Sequence, residues 1–149
     1  MNELVCSTYK LIQIHIPKTG GSSIQRFIYG LPRIKAPHRK SLQILENISR
    51  YKDYFTFAVV RNPLDRIIST YFYYTTRGGN RTGKDKKIGR EFRKRGLKAV
   101  IMDLENLHRY IPFYEEQLSR VFLPQHYYTH KNNRFVLNKI FYYERLFEC

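Results

Sequence analysis

Cysteine is nearly absent from this sequence. Cys6 and Cys149 stand near opposite ends, without the paired spacing that holds zinc and too few for a disulfide framework. Both are expected as reduced thiols. Tryptophan is missing altogether, so the aromatic content rests on 13 Tyr and 10 Phe, which suit a core and a stacking surface equally. No apolar run approaches the ~20 residues that cross a bilayer. The start, Met1-Asn2-Glu3-Leu4-Val5, has no basic segment leading into an apolar one, so no secretory signal is expected there. No internal repeat is found.

Negative charge is also scarce. Asp and Glu number 12 against 27 Lys and Arg, a formal net charge of +15. Such a field implies a polyanionic or phosphorylated partner, or an anionic surface, without choosing among them. Hydrophobic residues at 42% still suffice for one core, and 149 residues suit a single domain.

What is present is organised around one stretch. Tyr9 to Ile16, with the apolar, β-branched run Leu11-Ile12-Gln13-Ile14-His15-Ile16, reads as a buried parallel strand. It enters Pro17-Lys18-Thr19-Gly20-Gly21-Ser22-Ser23, after which Ile24, Phe27 and Ile28 take up helical spacing. A glycine-rich turn between strand and helix gathers backbone N–H groups at the positive end of a helix, a natural seat for an oxyanion. Gly20 and Gly21 permit positive φ and close approach. Lys18 adds a mobile charge, and Ser22 and Ser23 can cap the helix or donate to the anion. The common nucleotide loop places its Lys after the last Gly and directly before Ser or Thr. Here Lys18 precedes both glycines, so the expected ligand is a phosphate or sulfate held in another manner.

Further on, Gly30 and Pro32 end that helix, Ile34 to His38 reads as a short extended piece, and Ser41 caps a helix reaching about Tyr51. Tyr54 to Arg61 is the clearest strand, ending abruptly at a charge. Asn62-Pro63 then starts a helix whose buried stripe is expected at Ile67, Ile68, Tyr71 and Phe72, with Ser69 off that stripe. Residues 76–98 are expected to be a mobile basic loop passing into a basic helix. Later come short helices near 100–108 and 110–118, a return to the core at Val121 to Gln125, and strands at Phe135–Leu137 and Ile140–Glu144. The order of elements predicts an α/β fold with a small parallel sheet. Parallel βα junctions lie side by side at the carboxyl edge of such a sheet. Lys18 with the Gly20 to Ser23 backbone would grip one anion there, and Arg61 with Ser69 a second. Two grips in one crevice suggest a nucleotide phosphorylated at two places.

These two segments carry a family resemblance. Ile16-Pro17-Lys18-Thr19-Gly20-Gly21-Ser22-Ser23 resembles the 5′-phosphosulfate loop of sulfotransferases that use PAPS (3′-phosphoadenosine 5′-phosphosulfate). The stretch from Phe57 to Tyr71, with Arg61, Asn62, Pro63 and Ser69, resembles their 3′-phosphate segment, about 40 residues on. Leu123-Pro124-Gln125 and Tyr143-Glu144-Arg145-Leu146 are similar to later landmarks of the carbohydrate branch, which includes the heparan 2-O-sulfotransferases. The resemblance implies a P-loop-NTPase-like three-layer fold and sulfuryl transfer from PAPS to a hydroxyl, leaving PAP (3′-phosphoadenosine 5′-phosphate). It implies that Pro17 to Ser23 hold the 5′ group, that Arg61 and Ser69 hold the 3′-phosphate, and that Lys18 offsets charge on the leaving oxygen. It also implies His38 as the base, a role suited to an imidazole flanked by positive charge. With Lys and backbone dipoles neutralising the donor, no metal is expected. The acceptor is expected to be a hydroxylated, possibly anionic carbohydrate.

His15 is expected to be a core histidine and Gln125 structural. Members of that branch continue past Tyr143-Glu144, so a chain stopping at Cys149 is expected to be a minimal or C-terminally truncated domain. The expected location is cytoplasmic, or a Golgi lumen only where an anchor has been removed. The competing reading is a basic nucleic-acid-binding α/β module tracking phosphates along Arg77 to Lys98. A P-loop kinase is disfavoured by the order of Lys and Gly and by the lack of a strand-end Asp for Mg²⁺.

Overall fold

The computed structural model describes residues 4–29, 38–76, 82–146 and 148. These group into two compact units, one comprising residues up to 62 together with 123 onward, the other residues 63–122.

The first unit contains β1 (Val5–Cys6), β2 (Leu11–Ile14), α1 (Gly21–Tyr29), α2 (His38–Glu46) and β3 (Phe55–Val60). After residue 123 come β4 (His130–Lys131), β5 (Arg134–Phe135) and β6 (Lys139–Tyr142). A four-stranded sheet runs in the order β1-β2-β3-β6, while β4 and β5 form a separate antiparallel pair. The β2, β3 and β6 strands are parallel, paired through Ile14 with Ala58 and through Val60 with Tyr142, and β1 is antiparallel to β2. The unit is thus mixed α/β, with a small, largely parallel sheet and helices beside it.

Burial explains why these segments form strands. Ile12, Ile14 and Ile16 are fully buried with Gln13 and His15 buried between them, and Phe57, Ala58 and Val59 are all buried in succession. Both patterns are those of strands covered on both faces, as befits β2 and β3 in the sheet interior. Asn138 sets its register against β6: Thr56 N–H donates to Asn138 Oδ1 at 2.7 Å, and Asn138 N–H returns to Thr56 Oγ1 at 3.2 Å. The sheet isoleucines pack with Leu4, Ile44, Leu45, Tyr128 and Leu137 in one cluster.

Ser41 is not the helix cap expected from the sequence, because α2 already begins at His38. Its hydroxyl is fully buried and accepts the N–H of His15 at 2.9 Å. That bond pins the first turn of α2 to the carboxyl end of β2. The extended piece expected at 34–38 falls largely on residues 30–37, outside the described ones, and His38 itself is helical.

The second unit contains α3 (Pro63–Thr75), α4 (Gly83–Met102), α5 (Leu107–Tyr110), a π-helical turn at Tyr114–Leu118 and α6 (Ser119–Phe122). Its core gathers Tyr74, Ile88, Phe92, Val100, Leu107, Ile111 and Leu118. The stripe expected on α3 is corrected: Arg66, Thr70 and Tyr74 are its buried residues, and Phe72 is 50% exposed. Packing against α4 selects that face. Tyr71 stacks on Phe92 with ring centroids 5.8 Å apart, and Tyr74 meets the same ring edge-on at 5.9 Å. A Cβ at Gly89 would overlap the Tyr74 carbonyl oxygen, so only glycine allows the two helices this close.

Of the mobile basic loop expected to pass into a basic helix within 76–98, residues 77–81 lie outside the described ones, and the helix runs from Gly83. Thr82 and Asp85 form a capping box: Thr82 Oγ1 accepts the Asp85 N–H and Asp85 Oδ2 the Thr82 N–H, each at 3.1 Å. Gly96, at φ 80° and ψ 158°, then breaks the helix near its end. Among the described residues no helix is long and apolar enough to cross a membrane.

Candidate functional site

Three parallel strand ends sit at one edge of the sheet in the first unit. β2 delivers the Pro17 to Ser23 loop, β3 delivers Arg61, and β6 delivers a 3₁₀ turn at Tyr143–Arg145. The pairing of Ile14 with Ala58 and of Val60 with Tyr142 puts these ends side by side.

The loop departs from ordinary backbone at two positions. Lys18 adopts φ 66° and Gly20 φ 77°, both left-handed. The first is uncommon for a residue with a side chain, which pays roughly 1 kcal/mol for it. Thr19 is buried, and its hydroxyl donates to Ile16 O at 2.9 Å, which closes the turn from within. Ser23 and Ile24 donate their N–H groups to Gly20 O at 2.9 and 3.1 Å, starting α1. The N–H groups of Gly21 and Ser22 precede the first residue that can find an intrahelical acceptor.

Both glycines lie against rings. A Cβ at Gly20 would come within 2.9 Å of the Tyr143 ring, and one at Gly21 would overlap the His15 imidazole. His15 is 4% exposed, a core histidine as expected. Ser22 and Ser23 are exposed, Pro17 is buried and Lys18 is half-buried.

Arg61 is held at every level. Its N–H donates to Gln125 Oε1 at 2.9 Å, and Gln125 Nε2 donates to its carbonyl at 2.8 Å. Gln125 is thus the structural residue anticipated, an amide clamp on the strand end. One residue further, Asn62 N–H donates to Glu144 Oε1 at 2.6 Å. This bond, one from Glu144's own N–H and the nearby Arg61 charge hold the Glu144 carboxyl below the usual glutamate range. The guanidinium lies 4.4 Å above the centre of the Tyr143 ring, and its Nη1 donates to Lys18 O at 3.3 Å. Its Nε is buried and has no acceptor among the described residues.

Lys18 and Gly20 therefore meet Arg61, distant in sequence, at one edge, with Tyr143 against both Gly20 and Arg61. Ser69 is half-buried in α3 of the other unit. His38 is the first residue of α2, whose attachment to His15 brings that helix start to the same edge. The part played by Tyr143 and Glu144 escaped the sequence reading. Their signal was a motif landmark, whereas their contacts to Gly20, Arg61 and Asn62 are all tertiary. Among the described residues no group of three or more His, Cys, Asp or Glu could hold a metal ion.

What this arrangement offers chemically is concentrated positive charge beside bare backbone. A lysine, an arginine with an unused donor and the start of a helix converge where a divalent or doubly charged anion could be held. No curated protein and no solved structure matches the chain significantly. A family model described as "Sulfotransferase family" matches residues 2–147. Spanning nearly the whole sequence and both segments that build the sheet edge, this match shows that the chain belongs to the sulfotransferase family.

Proposed function

We propose that the sulfuryl donor is PAPS and that the acceptor is a hydroxyl of a carbohydrate, with the chain aligned to the heparan 2-O-like branch and its P-loop-like fold. One observation carries the donor reading: the guanidinium leaving β3 turns onto the glycine loop leaving β2, bonding Lys18 O at 3.3 Å. Two anion grips so close suit one small molecule bearing two anionic groups. The fit is supported by the open donors at the start of α1, whose loop is seated by Gly20 and Gly21 lying against the Tyr143 and His15 rings.

When bound, PAPS supplies an activated sulfuryl group. Lys18 and the N–H groups of Thr19 to Ser23 hold its 5′ end, with Pro17 stiffening the loop entry. Arg61 takes the 3′-phosphate through its planar fork. Ser69 joins it on the strength of the motif resemblance alone. His38 accepts the proton of the acceptor hydroxyl while that oxygen bonds to sulfur and the bond from sulfur to the phosphate oxygen breaks. Lys18 offsets the charge left on that oxygen, and PAP departs.

Titration calorimetry with PAP tests this. Lys18→Ala and Arg61→Ala are each expected to weaken binding by at least about tenfold, the range of a charge-assisted contact. Failure of the intact protein to bind PAP would overturn the reading. The rival nucleic-acid module draws on the exposed Lys86, Arg90 and Lys94 of α4. It predicts steeply salt-dependent oligonucleotide binding that ignores Lys18→Ala.

A further inference from the structure

We infer that Tyr143 is a positioning residue that acts through Arg61 to make the site prefer a nucleotide carrying a 3′-phosphate; this rests on the donor reading above. Register places it there. Val60 pairs with Tyr142, so the next residues, Arg61 and Tyr143, leave their strands side by side, and the following pair is tied by the bond from Asn62 N–H to Glu144. The ring then touches two things at once. The guanidinium stands 4.4 Å from its centre, while its edge faces Gly20 so closely that a Cβ there would lie 2.9 Å from Cε2 and 3.2 Å from Cδ2.

The consequence follows from guanidinium geometry. Arginine presents all five N–H donors in its own plane, and a ring face beneath its Cζ holds the group in place without consuming any of them. A carboxylate in the same place would hold the group equally well but would neutralise it and occupy the fork. Here one donor reaches Lys18 O at a long 3.3 Å, and Nε has no acceptor among the described residues. The ring contact therefore leaves a charged, anchored and largely unspent fork. The same ring braces Gly20, so Arg61 is referenced to the loop twice, through Lys18 O and through Tyr143. A phosphate on Arg61 is thereby set at a fixed distance from an anion in the loop.

The test compares two ligands that differ only in the 3′-phosphate, PAP and adenosine 5′-phosphate, by calorimetry on the full chain. The readout is the ratio of their dissociation constants. Tyr143→Leu is expected to shrink that ratio about 5- to 30-fold, the span of a partly desolvated cation–π contact. Affinity for adenosine 5′-phosphate, which feels only the lost brace on Gly20, should fall by less than that for PAP. Tyr143→Phe keeps the π face and should retain the wild-type ratio. Arg61→Ala should abolish the preference, and adding Tyr143→Leu to it should change nothing further. Tyr143→Met, which fills similar volume without a π face, replaces the leucine variant if that one does not fold.

A wild-type ratio in the leucine or methionine variant overturns the inference. So does an equal loss for both nucleotides, which marks a merely structural ring. A wild-type protein that binds PAP no better than adenosine 5′-phosphate overturns the donor reading, and this inference with it. That outcome is distinct from a discriminating wild type whose Tyr143 variants behave alike.

Discussion

Replacing Gln125 by alanine should loosen the strand end that carries Arg61, and the structure allows the cost to be worked out. Two hydrogen bonds disappear, Arg61 N–H to Oε1 at 2.9 Å and Nε2 to Arg61 O at 2.8 Å. A neutral hydrogen bond contributes about 1 kcal/mol net, and a backbone group left unsatisfied in a partly buried place adds to the loss. The sum is roughly 2–3 kcal/mol, or about 5–10 °C in melting temperature at this chain length. Gln125→Met separates bonding from packing, since it keeps most of the side-chain volume and makes neither bond. Urea unfolding followed by far-ultraviolet circular dichroism and by tyrosine fluorescence, the chain having no tryptophan, reads both variants. Both should fall by similar amounts, and both should bind PAP more weakly because the guanidinium is no longer aimed. Stabilities within about 0.5 kcal/mol of wild type, the scatter of ordinary surface changes, would refute the clamp. A loss in the alanine variant alone would reduce it to packing.

Three further outcomes follow from other contacts. Gly89→Ala sets a methyl group onto the Tyr74 carbonyl oxygen, a backbone atom that cannot rotate aside. It should cost about 3 kcal/mol or more, and an unchanged urea midpoint would contradict the close approach of α3 and α4. Thr82→Ala removes half of the capping box on α4 and should lower stability by about 1 kcal/mol in a thermal melt. Glu144→Gln probes pH. The Glu144 carboxyl is held below its ordinary value of 4.5, chiefly by the Asn62 N–H, so its ionised form is favoured by folding. The stabilisation is present above that value and is lost as pH falls through the lowered folded value. Wild type should therefore be the more stable protein at neutral pH, with the difference shrinking on acidification. A gap that is constant from neutrality down to about pH 3, well below the usual glutamate range, would count against the bond.

Legibility in the sequence followed how local the physics was. The strands read as ending at Ile16 and Arg61 announced themselves because apolar runs stopped at Pro, Gly or charge, and the helices after them began with recognisable breakers. The Pro17 to Ser23 loop was visible for the same reason. Ser41 was misread because its hydroxyl serves an N–H in another element, which no window around residue 41 reveals. The α3 stripe was misplaced because α4, not the spacing of Ile67, Ile68 and Phe72, decides which face is covered. The two-residue strands at Val5, His130 and Arg134 are too short to show any period. The start of α4 was readable, since Thr82 and Asp85 have capping-box spacing, but the glycines and charges around them masked it. Arg61 was picked out with a role and Tyr143 only as a motif landmark, because the contact of its ring with a guanidinium across two strand ends depends on register.

The left-handed backbone at Lys18 sets robustness against reactivity. Glycine or asparagine would sit at φ 66° more comfortably than lysine does. Screening this protein for heat resistance alone would thus tend to enrich for such replacements at 18, and on the proposed role of Lys18 the survivors would be sturdier and chemically idle. Stabilisation campaigns on this scaffold need an assay of turnover at every round, or they will breed out the ammonium group first.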